Sequence, residues 1–234
     1  MSAANSPTGN RLLDRLPKAD WRTLRERCET IALRQGDKIY GAENAVTHVY
    51  FPTTAVCSLV VSTADGEVAE AGTIGNEGML GLPAYLGAET ALHTVFTQRA
   101  GGALRMSVEA FRESLQKSVR FEKLVQRYVA YSWRHANQTV ACNALHSVEK
   151  RACRWLLLTH DRVGDGDFVL THEFLAEMLG THRQTVSIVA ATLQRAGLIQ
   201  YRRGVVRVLN RAELEAASCE CYAIAKQLYG ELIR

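Results

Sequence analysis

Leu170-Thr171-His172-Glu173-Phe174-Leu175-Ala176-Glu177-Met178-Leu179-Gly180-Thr181-His182-Arg183-Gln184-Thr185-Val186-Ser187 is the stretch that decides the fold. Thr171 is placed to cap a helix through Leu179, because a hydroxyl there accepts a bond from a first-turn amide. Gly180 follows, where a left-handed residue ends a helix at little steric cost. Thr181 is then expected to cap a second helix that runs to about Ala196. Ala176 is small where the two helices would cross. Val186 and Val189 anchor the second helix on the first, and Leu175, Leu179 and Leu193 complete a small core. This is the spacing of a helix-turn-helix.

Moving outward toward the C-terminus, Leu198-Ile199-Gln200-Tyr201 and Val205-Val206-Arg207-Val208-Leu209 flank Arg202-Arg203-Gly204. Two β-patterned runs around a basic tip read as a hairpin, the wing of a winged helix. A bare helix-turn-helix also occurs as a packing motif in proteins that never meet DNA. The residues outside the packed positions separate the two readings. His182, Arg183, Gln184, Thr185 and Ser187 lie at the front of the second helix and are donors suited to base edges and phosphates. With Thr171, Thr181, Arg202 and Arg203 they form the candidate DNA-binding set.

Charge supports this division. From Thr181 to Arg211 there are six arginines and no acidic residue, whereas Ile39 to Gln98 holds six acidic residues and no Lys or Arg. The net charge of +4 by itself permits nucleic acid without demanding it.

Moving outward toward the N-terminus, Ser147 to Asp161 reads as a helix, and Phe121 to His146 is a long run free of Gly and Pro. In that run Leu124, Tyr128, Tyr131, His135, Cys142 and Leu145 recur at helical spacing, so the helix is expected to need a partner for its apolar face. Ser107 is placed to cap a shorter helix bearing Val108, Phe111 and Leu115. Before it come short strand candidates at Thr30–Gln35, His48–Phe51, Val56–Ser62, Val68–Thr73, Thr94–Gln98 and Ala103–Met106. Turn signals separate them, among them Asp65-Gly66 and Gly101-Gly102. That pattern indicates a small β-barrel or β-roll. Leu12 to Cys28 reads as helical around Pro17, and Met1 to Asn10 as a frayed tail.

The chain of 234 residues has no apolar run long enough to span a membrane and no signal-peptide core, so a cytoplasmic location is expected. Its six cysteines form no paired framework. Cys219 and Cys221 are read as two thiols in an exposed C-terminal extension, too few for a metal site. Cys142 and Cys153 are read as packed thiols beside the long helix.

On these residues the chain resembles the Crp/Fnr superfamily. The likeness runs from about Leu12 to Leu209 and takes in Gln35-Gly36-Asp37-Lys38-Ile39, Val49-Tyr50-Phe51, the segment Gly75 to Gly87, the long helix and the winged domain. It implies an α+β fold: an N-terminal cyclic-nucleotide-binding-like β-roll within residues 1–120, a dimerisation helix at 121–146, a winged helix-turn-helix at 147–215, and a helical extension at 216–234. It also implies a bacterial homodimer that binds an inverted repeat in double-stranded DNA, with RNA polymerase as partner. Arg183 falls where the family commonly places a base-reading arginine; Gln184 stands where many members have a glutamate.

The sensor departs from the cyclic-nucleotide pattern. The effector pocket, by resemblance, would involve Gly78, Gly81, Leu82, Tyr85, Ala91 and Leu92. Leu82 replaces the ribose-binding glutamate, and Thr90-Ala91-Leu92-His93 lacks the phosphate-binding Arg-Ser pair. A buried phosphate without a cation needs a full shell of amide donors. Cyclic AMP and cyclic GMP are therefore not expected as effectors, and no cofactor or metal is expected. Cys28 is the sole cysteine of the first fifty residues, against the N-terminal cluster of iron–sulfur members. His48, His93, Cys57 and Cys28 are available as haem ligands, but their spacing selects none.

No Ser-His-Asp, Cys-His or paired-carboxylate arrangement is legible, so no catalytic residue is assigned and an enzyme is not expected. The alternative is a signalling protein whose winged helix contacts protein. Arg183, Arg202 and Arg203 discriminate: DNA requires them exposed, and an acidic loop from Asp161 to Asp167 folded over them would argue against it.

Overall fold

The computed structural model describes residues 6–164 and 166–234, and contacts divide the chain into two units. The first unit takes the residues up to Leu59, Thr73–Arg134 and Tyr229–Arg234. The second takes Val60–Gly72 and His135–Leu228.

The first unit begins with a 3-10 turn at Leu13–Arg15 and helix α1 (Lys18–Arg25). The helical segment read over Leu12 to Cys28 is punctuated at Pro17, which sits at the boundary and starts α1 with its fixed φ. The strands are β1 (Glu29–Leu33), β2 (Lys38–Tyr40), β3 (His48–Pro52), β4 (Val56–Ser62), β5 (Val68–Ile74), β6 (Thr94–Arg99) and β7 (Gly101–Ser107). They form sheets of order β1-β7-β3 and β2-β6-β4-β5. A one-turn helix, α2 (Leu82–Tyr85), interrupts them, and α3 (Val108–Lys117) follows β7. Ser107 caps α3 by accepting from the Ala110 amide at 3.1 Å.

Two buried clusters hold this unit. Val49, Phe51, Met106, Phe111, Phe121 and Tyr128 belong to one; Leu33, Cys57, Leu80, Val95 and Ala103 belong to the other. Gly101-Gly102 is strand, not the turn its composition suggests. A Cβ on Gly101 would stand 2.4 Å from the Ala55 amide nitrogen, so close backbone approach, not a bend, explains the glycine. The frayed tail expected over Met1 to Asn10 is also corrected at its end; Met1 to Asn5 lie outside the described residues. Asn10 is fully buried and donates to the Pro52 and Gly78 carbonyls at 2.8 and 2.9 Å. The C-terminal segment returns here as well: Leu232 joins the Phe51 cluster, and Arg127 donates to its carbonyl at 2.7 Å.

Helix α4 spans Val119–Leu145. Leu124, Tyr128 and Cys142 of its expected apolar stripe are buried within the chain's own clusters and Tyr131 packs against one of them, whereas Leu145 stays exposed. A different apolar pair, Trp133 and Val140, stays 70% and 69% exposed.

The second unit contains α5 (Val148–Val163), β8 (Phe168–Val169), α6 (His172–Leu179), α7 (Arg183–Arg195), β9 (Ile199–Arg202), β10 (Val205–Val208), α8 (Arg211–Ala217) and most of α9 (Cys221–Leu232). Ser147 caps α5, and the strands form a sheet of order β8-β10-β9. The two-residue strand β8 was not legible in the sequence. The tip of the β4–β5 hairpin counts in this unit, and within it Trp155 Nε1 donates to Glu70 Oε2 at 2.6 Å. Helix α5 runs through Val163, so Asp161 of the expected acidic loop is helical and the loop begins at Gly164; Asp165 lies outside the described residues. No helix of the described residues is long and apolar enough to cross a membrane.

Candidate nucleic-acid interface

Helix α6 starts where its sequence says it must. Thr171 Oγ1 accepts from the Phe174 amide at 3.1 Å, and Gly180 ends the helix at φ +56°. The Thr181 amide then donates back to the Ala176 carbonyl at 3.0 Å, closing a Schellman turn. This corrects the expected role of Thr181: it finishes α6 and does not cap α7. The N-cap of α7 is His182, which makes no side-chain capping bond. The first amides of α7 therefore keep their donors and the positive end of the helix dipole for an anion outside the protein.

Val186, Ala190 and Leu193 bury one face of α7, beside buried Leu175 and Leu179 of α6. The opposite face carries exposed His182, Arg183 and Gln184, with Thr185 half-buried. Ser187 is drawn inward. Its hydroxyl donates to the Arg183 carbonyl at 3.0 Å and meets His172 Nδ1 at 2.9 Å. The His172 ring in turn lies 4.5 Å from that of Tyr201 in β9, whose hydroxyl donates to the Leu170 carbonyl at 2.6 Å. Burial, with Arg183 nearby, holds His172 below its ordinary pKa, so the imidazole is neutral at pH 7. His172 and Ser187 thus brace the front of α7 against the wing, a positioning role that spacing alone did not reveal.

The wing turns on two residues. Arg203 and Gly204 have φ of +52° and +76°, flanked by the paired Arg202 and Val205. Positive φ at both central positions is the demand of a type I′ hairpin. Arg202 and Arg203 are exposed at this tip.

The described carboxylates of the acidic loop, Asp161 and Asp167, do not engage Arg183, Arg202 or Arg203. Asp167 pairs with Arg207, and Asp161 with Arg211, each at 2.6 Å. Arg211 is further engaged by Glu215 and the Tyr222 hydroxyl. Arg183, Arg202 and Arg203 have no ion-pair partner among the described residues.

The residues named for an effector pocket lie in different surroundings. Ala91 is buried in the Leu33–Val95 cluster, Leu82 and Tyr85 pack on the Phe51 cluster, and Leu92 is 87% exposed. Gly78 faces the Tyr128 ring, and Gly81 begins α2 in the left-handed region. Arg112 reaches this segment from α3 but donates to the Ala84 carbonyl at 3.4 Å. The haem candidates fare similarly: Cys28 and Cys57 are buried thiols pushed up by burial to about 11 and about 12, and His48 meets Thr47 Oγ1 at 3.0 Å.

One correction concerns the cysteines. Cys219 and Cys221 are not exposed; they are buried together with Cys142. The premise that they form an isolated pair fails, since that partner stands 77 residues away in sequence.

Comparison with known proteins agrees with this geometry. Residues 150–217 match the Crp-like helix-turn-helix domain, and residues 30–118 the cyclic nucleotide-binding domain. No curated protein is significantly similar in sequence. Among solved structures, a transcriptional regulator of the Crp/Fnr family from Eubacterium rectale superposes with a TM-score of 0.70 at 17% identity, covering 90% of this chain and 98% of that one. FixK2 from Bradyrhizobium japonicum gives 0.70 at 17% identity, covering 82% and 98%. The c-di-GMP responsive regulator CLP of Xanthomonas campestris gives 0.69 at 14%, covering 83% and 100%. At such identities the structures report a shared fold. With both family domains matched, in the order sensor then winged helix, the chain belongs to the Crp/Fnr family of transcription regulators.

Proposed function

We propose that the protein binds an inverted-repeat promoter site in double-stranded DNA as a homodimer, acting in the cytoplasm on RNA polymerase, with its activity set by a signal at the β-roll. The observation that carries this reading is the partition of the arginines. The loop carboxylates engage Arg207 and Arg211, while Arg183 at the front of α7 and Arg202 and Arg203 at the wing tip stay exposed without a carboxylate among the described residues. Cations left in solvent beside the uncapped amides of a recognition helix suit a phosphate backbone and guanine edges. The homodimer follows from Trp133 and Val140, two exposed apolar side chains seven residues apart on one helix.

In this reading the sensor does not take a cyclic nucleotide, since no Lys or Arg occurs from Ile39 to Gln98 to meet the phosphate. The test is selection from random duplexes by gel shift at stated salt. Enrichment of a two-fold symmetric sequence is the expected result. Failure to prefer any duplex, with flat salt dependence, would favour a winged helix that contacts protein instead.

A further inference from the structure

Cys142 lies in the last turn of α4, and His146 directly follows that helix, its amide donating to the Cys142 carbonyl at 3.1 Å; Cys219 and Cys221 lie at the entry to α9. Their four donor atoms all fall within 4.8 Å of one another. Cys142 Sγ is 3.5 Å from Cys219 Sγ, and Cys221 Sγ is 3.6 Å from His146 Nδ1. Around one zinc ion, with Zn–S about 2.3 Å and Zn–N about 2.0 Å, neighbouring donors in a tetrahedron stand roughly 3.5–3.8 Å apart. Both separations already have that length. An iron–sulfur cluster places sulfide-bridged irons between its thiolates and needs them held wider.

The surroundings fit a metal as well as the donors do. His146 Nε2 lies 3.3 Å from the Glu220 carboxylate. With the proton on Nε2 donated to Glu220, Nδ1 turns its lone pair toward the thiols, the arrangement by which carboxylates orient metal-binding histidines. Gln138 Nε2 donates to Cys221 Sγ at 3.1 Å, as a thiolate would accept.

Charge gives an independent argument. Arg154 is 7% exposed, yet its guanidinium contacts only the neutral Thr139 hydroxyl, at 3.4 and 3.5 Å, and its Nε has no partner. No carboxylate pairs with it among the described residues, and its field acts on Cys142. A buried cation without a counter-charge is costly. Zn2+ bound by three thiolates and a neutral imidazole carries a net charge of −1 and supplies one.

We propose that Cys142, His146, Cys219 and Cys221 bind one zinc ion in a closed, four-ligand site. Binding releases the three thiol protons and changes no oxidation state. All four positions are taken by protein, so the ion is structural and fastens the entry of α9 to the end of α4.

The test uses full-length protein purified under reducing conditions without a histidine tag. Elemental analysis should give one zinc per chain. Replacement by Co2+ should give the intense visible bands of a tetrahedral site and near-ultraviolet thiolate-to-cobalt charge transfer. Cys142→Ser and Cys219→Ser should each lose the stoichiometric metal, whereas Cys153→Ser should keep it. Glu220 is exposed, so Glu220→Gln should fold and release zinc ~10-fold more readily. If the cysteine variants do not fold, the wild-type cobalt spectrum and Glu220→Gln still decide. Substoichiometric zinc with a cobalt spectrum like that of the hydrated ion would overturn the proposal. So would a Cys142–Cys219 disulfide in the freshly isolated chain, or full metal content in folded Cys142→Ser.

Discussion

Asp167 grips Arg207 through two hydrogen bonds, 2.6 Å to Nε and 2.7 Å to Nη2, and so neutralises one arginine of the wing. The pair holds the Asp167 carboxyl below its usual range, so it persists at neutral pH. Asp167→Asn should therefore free a cation: affinity for random duplexes should rise, and the salt dependence should steepen by about one unit. Arg203→Ala should do the reverse, weakening all duplexes alike. Equal salt slopes for wild type and both variants would contradict the division between paired and free arginines.

Arg183 is assigned a different task. If it reads guanine with both guanidinium edges, Arg183→Ala should cost ~1–3 kcal/mol on the selected site and little on scrambled DNA. Gel-shift titration of both duplexes at one salt concentration measures the difference. An equal loss on the two would make Arg183 a phosphate contact.

The exposed pair on α4 predicts both an assembly and the way to break it. Light scattering should give about twice the 25.9 kDa protomer mass. Val140→Glu should shift the protein toward monomer and weaken palindromic sites far more than half-sites, without unfolding, because the side chain is already in solvent. A dimer that tolerates this change would place the interface elsewhere.

For the sensor, calorimetric titration with cyclic AMP or cyclic GMP should show no saturable heat at micromolar concentration. Transfer of an unpaired phosphate out of water costs several kcal/mol, more than stacking on Tyr85 returns. A low-micromolar dissociation constant, or a nucleotide-dependent gain in DNA affinity, would reveal an amide cradle in its place.

Acid should weaken the second unit through His135. Burial, reinforced by Arg162 and Arg154, pushes its pKa down to about 3. The unfolded chain thus takes up a proton near pH 6.5 that the folded one refuses, so stability falls as pH drops from about 6.5 toward 3, by a few kcal/mol at most on the order expected from linkage. Urea unfolding midpoints at a series of pH values check this, and His135→Gln should flatten the slope over that window.

What could be read from the sequence was what is decided within a few residues. Ser107, Ser147 and Thr171 each cap a helix by a bond to the amide three positions on, and Arg203-Gly204 makes a turn by its own backbone. These depend on near neighbours, so the winged helix and most strands were legible. What failed depends on distant partners. Gly101 looked like a turn because Ala55, whose backbone presses on it, is 46 residues away. Strand β8 is too short to show a period and is defined by pairing Val169 with Val205. The apolar stripe of α4 was real, but spacing cannot say whether a stripe meets its own chain or another. Cys219 and Cys221 looked like an isolated pair until folding brought Cys142 and His146 beside them.

Leu232 has a consequence for synthesis and for handling. It belongs to the same buried cluster as Leu12, Phe51 and Phe121, yet the ribosome makes it only after the whole winged helix. The β-roll must wait with a gap in its core until translation has passed the winged helix. The β-roll is thus completed only after the winged helix has been made. Removing the segment after Tyr229, or replacing Leu232 by a charged residue, would injure the core of the β-roll while leaving helix α7 intact.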